Sequence, residues 1–371
     1  MKVLQISTYY LPNFGGIEQV AYDFSRILNT LGNEVRVVCF NTSKEDSCDD
    51  YENVKVYRIG FSIKIASQAI SFSYLKKLRG IIEDYKPDVI HVHLPNPLIV
   101  FYLNIIKPKC KITVHWHSDI IRQKILKKFY LPIERRFLKK VSKIVATSNE
   151  YAKCSEILVN YSDKVIVIPN IVNTKYYSSL SDSEKIKIKD LRESYKNKKV
   201  IFTVGVHRLY KGISYLIDAA KYLTKDYEVI IAGSGPLTEQ LKMQVKDLGL
   251  NNVVFLGRIS DEEKRRYFYM ADVFAFPSIT KNEAFGIALA EALYCGLPAV
   301  TFTIQGSGVN WVNKDKETGL EVPEINAKKY AEALMSVSKS EYGKASKDWI
   351  RQNFTEEAVT PLVQKLFNDE D

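Results

Sequence analysis

A chain of 371 residues exceeds what one hydrophobic core usually serves and points to two domains, and its 46% apolar content can fill both. The longest apolar run, Leu98–Leu103, stops far short of the roughly 18 residues that span a bilayer, so no transmembrane helix is expected. The net charge of +10 lies wholly within residues 1–178, while residues 179–371 are balanced, which directs any search for an anionic partner to the first half. Five scattered cysteines (Cys39, Cys48, Cys110, Cys154 and Cys295) show no CxxC spacing and suggest neither a disulfide framework nor a zinc site. The opening "MKVLQIST" reads as a short strand and lacks the apolar region of a signal peptide, so a cytoplasmic protein is expected.

In chain order, "KVLQIS", "VRVVCF", "VKVYRI", "DVIHVH", "CKITVHWH", "KIVATS" and "KVIVIP" read as strands, rich in Val and Ile and bounded by turn residues. Helix-length stretches such as "GIEQVAYDFSRILNTLG" separate several of them, and Gly32 supplies a stop. After a charged stretch at 178–199, the pattern restarts with "VIFTVG", "EVIIAG", "VVFLG", "VFAFP" and "PAVTF". This alternation predicts an α/β protein of two Rossmann-like domains with parallel sheets, the first over residues 1–178 and the second over 179–354. Ligands of such sheets bind beyond the carboxyl ends of the strands, so residues just after each strand deserve the closest reading.

Gly15 and Gly16, between the first strand and first helix, allow backbone N–H groups to approach a phosphate. The spacing is not GxGxxG, which disfavours a nicotinamide cofactor, and "AGSGP" (232–236) lacks the third glycine too. His91 and His93, like His115 and His117, alternate on a strand and share a face. No acidic or cysteine ligand stands at a characteristic spacing, so core or ligand-lining histidines are expected rather than a metal site. His117 is the best placed for function, because it ends its strand and precedes the polar Ser118 and Asp119. The segment 121–143 holds nine basic residues and one acid, interleaved with aliphatic and aromatic side chains. It suits either an anionic membrane surface or a solvated helix face, and no nucleic-acid-binding signature accompanies it.

Arg208 and Lys211 follow the strand "VIFTVG", with Gly212 opening the next helix. Two cations there suit a diphosphate, Arg as a bidentate donor and Lys as a compact charge, although exposed charges in a turn look the same. Glu283 and Glu291 lie eight residues apart in "EAFGIALAE". If the interval is mostly helical they stand about 12 Å apart along the axis, a diphosphate-sized gap. Glu283 then suits a sugar's hydroxyls and Glu291 a ribose, while backbone at Phe285, Gly286 and Ile287 approaches the phosphates at the helix N-terminus. Glu291 sits among Ala290, Ala292 and Leu293, a setting in which an unpaired charge is costly.

The spacing E-x7-E, preceded by "ADVFAFPS" and followed by "GLPAV", resembles the signature of the retaining glycosyltransferases of family 4, which have the GT-B fold. "NFGG", "VHWHSDI", "VIPNIVNTKYY", "VGVHRLYKG", "AGSGP", "FLGRISDEE" and "GLEVP" agree in order over nearly the whole chain. The resemblance implies two sheets facing across a cleft, a nucleotide-sugar donor held mainly by the second domain, and an acceptor held mainly by the basic first one. It also implies a final helix, within 355–371, that returns to the first domain. Carried over by position, Arg208 and Lys211 stabilise the leaving diphosphate, approached also by Gly16. Backbone around Arg258 and Ile259 holds the base, Glu291 the ribose and Glu283 the transferred sugar, while His117 lines the sugar site. The family works without a bound metal or other cofactor, and front-face attack is its usual proposed mechanism. Two positions depart from the common pattern: His207 replaces the Gly before the Arg, and Ile171 replaces the Gly of "PNG".

"HWHSDI", "SGVNWVN" and "TGLEV" look most like bacterial enzymes that build surface polysaccharides, including O-antigens, on polyprenyl-linked acceptors, many of them with GDP-mannose. That resemblance implies hexosyl transfer to a lipid-linked oligosaccharide by an enzyme peripheral on the inner face of the membrane, with segment 121–143 as the contact. It keeps UDP-sugars as donors in play. The alternatives are a GT-B sugar-nucleotide epimerase, against which E-x7-E speaks, and a non-catalytic nucleotide-sugar-binding subunit, against which the joint presence of Glu283, Arg208 and Lys211 speaks.

Overall fold

The computed structural model describes residues 1–13, 15–65, 68–120 and 124–367, with the side chains of 64, 65, 68 and 124–127 outside the description. The chain divides into two compact units, Met1–Ile168 with Thr360–Asp371, and Pro169–Val359. The break therefore falls after Ile168 rather than after residue 178. Val172 and Tyr177 are buried in the second unit's core, and the Val172 N–H donates to the Phe354 carbonyl at 2.8 Å. The charged stretch after 178, which reads as a linker, instead forms the helix Asp182–Glu193. Its Glu184 pairs with Arg265 at 3.4 Å and Arg266 at 3.0 Å on the helix Asp261–Met270, so its polarity serves a helix–helix contact.

In the first unit the strands are β1 (Lys2–Ile6), β2 (Glu34–Phe40), β3 (Ser47–Tyr51), β4 (Val54–Ile59), β5 (Ile63–Ile65), β6 (Gln68–Ile70), β7 (Val89–Leu94), β8 (Lys111–Trp116), β9 (Lys143–Ala146) and β10 (Val165–Val167). Among the described residues, eight form a sheet in the order β10-β9-β8-β7-β1-β2-β4-β3, parallel except for the edge strand β3, and β5 and β6 form a separate hairpin. The second unit adds β11 (Lys199–Val204), β12 (Tyr227–Ala232), β13 (Val253–Gly257), β14 (Val273–Phe276), β15 (Ala299–Phe302) and β16 (Gly319–Val322) in the all-parallel order β13-β12-β11-β14-β15-β16. Both sheets run outward from a central first strand in two directions, the doubly wound arrangement expected from the alternation. They reverse between β1 and β7 and between β11 and β14.

Period-2 alternation decides which helices each face receives. In the second sheet Ile201, Val229, Ile231, Val273, Ala275 and Val300 face one core with Leu216, Ile217, Tyr330 and Leu334 from the helices Ile213–Ala220 and Ala327–Ser336. Phe202, Ile230, Phe274 and Phe276 face the other, with Phe268, Leu289, Leu293 and Ile350. In the first sheet the same alternation puts Gln5, His91, His93 and His115 on one buried face, where Phe24 of the helix Gly16–Thr30 stacks on His91 at 5.2 Å. Phe367, near the end of the described chain, packs its ring 5.8 Å from that of His91 within the same unit.

An arginine ties the edge of the first sheet to its centre. Arg58 on β4 pairs through Nε with Asp49 on β3 at 2.8 Å and donates from its terminal nitrogens to the carbonyls of Tyr10, at 3.2 Å, and Leu11. The loop leaving β1 is thereby held from the far side of β2.

Burial presses all four histidines, 91, 93, 115 and 117, below the usual imidazole range, His91 and His117 to about 3. Below about pH 6.5 the unfolded chain takes up protons that these folded side chains refuse, so stability falls with falling pH until the folded values are reached. Each such histidine contributes at most about 1.4 kcal/mol per pH unit in that window. Calorimetric melts should show the first unit's Tm flat above pH 7 and declining steadily from pH 6.5 to 5, with His91→Phe flattening the decline. A profile level from pH 7 to 5 would contradict neutral burial.

Candidate active site

At the second unit's switch point, the chain leaving β11 turns through Arg208 and a single 3-10 turn, Leu209–Lys211. Gly212 follows with φ +62°, and a Cβ there would lie 1.9 Å from the Pro277 carbonyl oxygen, so only glycine lets this turn pack against the end of β14. The Ile279 N–H donates to the Tyr210 carbonyl at 2.9 Å, which laces the two strand ends together. Lys211 forms an ion pair with Glu283, with side chains 17% and 12% exposed. Ser278 also donates to Glu283 Oε2 at 3.2 Å, and Ser307 donates to the Glu283 carbonyl.

Desolvation pulls the Lys211 ammonium down, but the Glu283 carboxylate more than offsets it and the pKa stands above the usual lysine value. The ammonium is therefore charged at neutral pH. Lys211 also lies 5.2 Å from the Phe276 ring centroid. Arg208 is exposed and has no ion-pair partner among the described residues. The two cations are thus unequal: one is held by a carboxylate and the other faces water.

The interval between the two glutamates departs from expectation. Gly286 has φ +90° and caps a helix that runs only over Ile287–Tyr294, so Glu283, Ala284 and Phe285 lie in a loop before it and the helical spacing does not apply. A side chain on Gly286 would meet Phe276 at 3.1 Å. Helix start and loop together place Phe285, Gly286 and Ile287 at an N-terminus whose first N–H groups have no partner inside the helix.

Glu291 lies on that helix, 14% exposed, and is not unpaired. Its sequence neighbours Ala290, Ala292 and Leu293 point into the core, while its own side chain meets Lys264 at 3.0 Å. Lys264 bridges to Asp261 at 3.1 Å, and burial together with the nearby Glu291 carboxylate raises the Tyr177 hydroxyl's pKa well above the usual value. Sequence reading missed Lys264 and Tyr177. The S-x-x-E capping box of Ser260 and Glu263 was the available signal, since it starts a helix that carries Lys264 in its first turns.

Arg258 and Ile259 follow β13, with Arg258 Nε donating to Ser234 Oγ of the "AGSGP" turn at 2.9 Å and Ile259 packed on the core. His207, in the place of the usual glycine, is fully buried. It bonds through Nδ1 to Thr238 at 2.9 Å, and its backbone N–H takes the Ser234 carbonyl at 3.2 Å. Ile171 is buried as well.

In the first unit, Gly15 caps the helix Gly16–Thr30 in extended backbone, and the Glu18 carboxylate covers it: a Cβ on Gly15 would fall 2.1 Å from Glu18 Oε2. Burial raises the pKa of Glu18. A phosphate approaching this helix start would therefore meet a carboxyl group, which the glycine pair alone did not reveal. His117 follows β8, 9% exposed, bonded through Nε2 to His93 Nδ1 at 3.0 Å and stacked on His115 at 4.4 Å. His91, His93 and His115 bring ligand atoms within 4.8 Å of one another. Both nitrogens of His93 are already engaged, with His117 and with Gln5 at 2.8 Å, and one of His91 with Thr113 at 2.8 Å. A metal there would have to displace one of the two His93 bonds, whereas His91 Nε2 and both His115 nitrogens have no hydrogen-bond partner among the described residues.

Comparison with known proteins agrees with this architecture. The model for "Glycosyltransferase Family 4" matches residues 14–176, and that for "Glycosyl transferases group 1" matches 184–355. The chain is 34% identical over 99% of its length to the O-antigen chain mannosyltransferase C of Escherichia coli, covering 98% of that protein. It is 34% identical over 90% of its length to the D-rhamnosyltransferase WbpZ of Pseudomonas aeruginosa, covering 86%. Among solved structures, sucrose-phosphate synthase from Thermosynechococcus elongatus superposes with a TM-score of 0.82 at 18% identity (99% and 98% of the two chains). Anabaena HepE in complex with UDP-glucose gives 0.77 at 19% identity, covering 98% of each chain. The protein is a GT-B glycosyltransferase of family 4.

The Lys211–Glu283 pair lends itself to a double-mutant cycle. Lys211→Met and Glu283→Gln should each destabilise the second unit, and the double variant should lose less than the sum, with a coupling of about 2 kcal/mol in urea unfolding. A coupling near zero would mean that the two side chains do not depend on each other.

Proposed function

We propose that this glycosyltransferase moves a hexose with retention from a nucleotide-sugar, GDP-mannose first among candidates and a UDP-sugar next, to a polyprenyl-linked glycan in surface-polysaccharide synthesis. The observation that carries the reading is the pairing of each signature glutamate with its own lysine, which holds two carboxylates in fixed orientations in the second unit. A carboxylate offers about four acceptor sites. Glu283 Oε1 has no partner among the described residues and serves the hydroxyls of the transferred sugar. Glu291, held by Lys264, serves the vicinal hydroxyls of the ribose.

Arg208 and Lys211 meet the negative charge that develops on the leaving diphosphate, with the N–H groups at Phe285, Gly286 and Ile287. This is preorganised electrostatic stabilisation, which needs no resident metal. Arg258 and Ile259 border the base; in the first unit, Gly15, Gly16 and His117 are assigned to substrate contacts, with the Glu18 carboxyl beside the glycine pair. The O-antigen mannosyltransferase and D-rhamnosyltransferase names of the relatives support a hexose, mannose foremost, as the transferred sugar and an O-antigen-type glycan as the product. The UDP-glucose bound by Anabaena HepE keeps the second donor class in view.

Calorimetry with GDP, UDP and ADP in the absence of divalent metal tests the donor. GDP should bind selectively, Glu291→Ala should weaken it about tenfold, and Glu283→Gln should spare binding while transfer falls at least a hundredfold. Selective UDP binding would redirect the donor assignment, and wild-type transfer by Glu283→Gln would remove Glu283 from the chemistry.

Among the described residues no helix is long and apolar enough to cross a membrane. A lipid-linked acceptor therefore calls for a peripheral contact with the inner membrane surface, which we assign to the basic segment 121–143. Residues 121–123, and the side chains of 124–127, lie outside the described residues. Beyond them Phe129 is 76% exposed, and Lys128, Arg135, Arg136, Lys139 and Lys140 are exposed too. Phe137, Leu138 and Val141 instead face the core, so the apolar contribution is smaller than the sequence implies. The protein should sediment with anionic vesicles and not with zwitterionic ones, and Phe129→Ser should weaken that several-fold. Equal binding to both vesicle types would refute the assignment.

A further inference from the structure

The buried face of the first sheet holds a chain of hydrogen bonds that ends on His117, and its direction can be worked out from its far end. The Ala21 carbonyl can only accept. Gln5 lies 3.3 Å from it through Nε2 and donates from the same nitrogen to Ser25 Oγ at 2.6 Å. Ser25 spends its own proton on the Ala21 carbonyl at 3.0 Å, so its oxygen accepts from Gln5. The amide of Gln5 is thereby oriented with its NH2 toward the helix and its Oε1 toward His93 Nε2, 2.8 Å away.

An amide oxygen is only an acceptor, so His93 carries its proton on Nε2. Its Nδ1 then has a lone pair and accepts from His117 Nε2 at 3.0 Å. The two ring planes are 15° from parallel, and a centroid separation of 5.2 Å with the nitrogens 3.0 Å apart places the rings end to end, which suits an in-plane N–H···N bond between imidazoles. Neutrality is what makes the chain directional, since a neutral imidazole has one donor and one acceptor. Burial holds His93 and His117 well below the usual range, and the face-to-face contact of His117 with His115, 2° from parallel, is that of two uncharged rings.

We propose that Gln5 and His93 are positioning residues that fix His117 as the Nε2–H tautomer, leaving Nδ1 as a permanent acceptor for a substrate hydroxyl. The part concerning the hydroxyl rests on the assignment of His117 to the sugar site; the tautomer does not. Nδ1 of His117 has no hydrogen-bond partner among the described residues, so the acceptor is available. Rotation of the Gln5 amide by half a turn would reverse every donor in the chain and present an N–H to the ligand instead. It would also set the Gln5 oxygen against the Ala21 carbonyl. The identity of residue 5, on a different strand, thus selects whether the site accepts or donates.

Only five histidines are present, so long-range 15N–1H correlation on histidine-labelled full-length protein, assigned by single substitutions, reads the tautomers directly. His117 should show an unprotonated, pyridine-type Nδ1 and a protonated Nε2, and His93 the same pair of states. Gln5→Met, close in volume and unable to accept at that position, should turn the His117 signals into a mixture of tautomers. It should also lower kcat/KM for transfer about tenfold. A proton on His117 Nδ1 in the unsubstituted protein, or unchanged His117 signals in Gln5→Met, would overturn the relay. If the signals shift as expected while kcat/KM stays at the wild-type value, the relay stands and the hydroxyl-binding role of His117 falls.

Discussion

The ion pair between Lys211 and Glu283 joins the two strand ends at which the second sheet reverses direction. Doubly wound sheets leave a gap at that point because the connections on either side run to opposite faces. Here the gap is closed by charge as well as by backbone. The Gly212 turn touches the end of β14, and Ser278 and Ser307 anchor the glutamate from two further directions. A lysine held in this way loses little conformational freedom on meeting a diphosphate, since its position is already fixed by the protein. It is also partly neutralised, which leaves the exposed Arg208 as the cation with the greater unspent charge.

The second glutamate repeats the arrangement with different parts. Lys264 comes from a helix start secured by a capping box, and Tyr177 from the segment that follows Ile168. Because Tyr177 belongs to the second unit's core, the chain entering that unit contributes directly to the setting of Glu291. The ordering of 169–193 against the second sheet is thus part of site construction and more than a connection.

The strands and the doubly wound class were legible because Val/Ile-rich runs buried on both faces leave an unambiguous pattern, as in β1, β7, β11 and β12. The short strands β3, β5, β6 and β16 escaped notice: β3, "SCDDY", is an edge strand with little core to meet and is largely polar. Arg208, Lys211, Glu283 and Glu291 were found by type and position, but their partners were not. Lys211 and Glu283 are 72 residues apart, and no local pattern records a contact that only the sheet order creates. Glu291 read as an acid among apolar neighbours because adjacent residues on a helix point in different directions, and its lysine comes from another helix. The loop ahead of Ile287 was missed for a simpler reason, that Gly286 can be read either as a helical residue or as a left-handed cap.

Arg58 couples two regions that sequence distance separates. Its guanidinium is 6% exposed, and it spends its hydrogen bonds on Asp49 at the sheet's outer edge and on the carbonyls just ahead of the glycine pair. Asp49 is itself open to solvent, 43% exposed, so a surface residue acts as the outer anchor of a strut whose inner end bears on the loop after β1. Divergence among relatives at this peripheral hairpin would then change the shape of that loop with no substitution in the loop itself, giving the fold a way to retune one wall of the first unit from its rim.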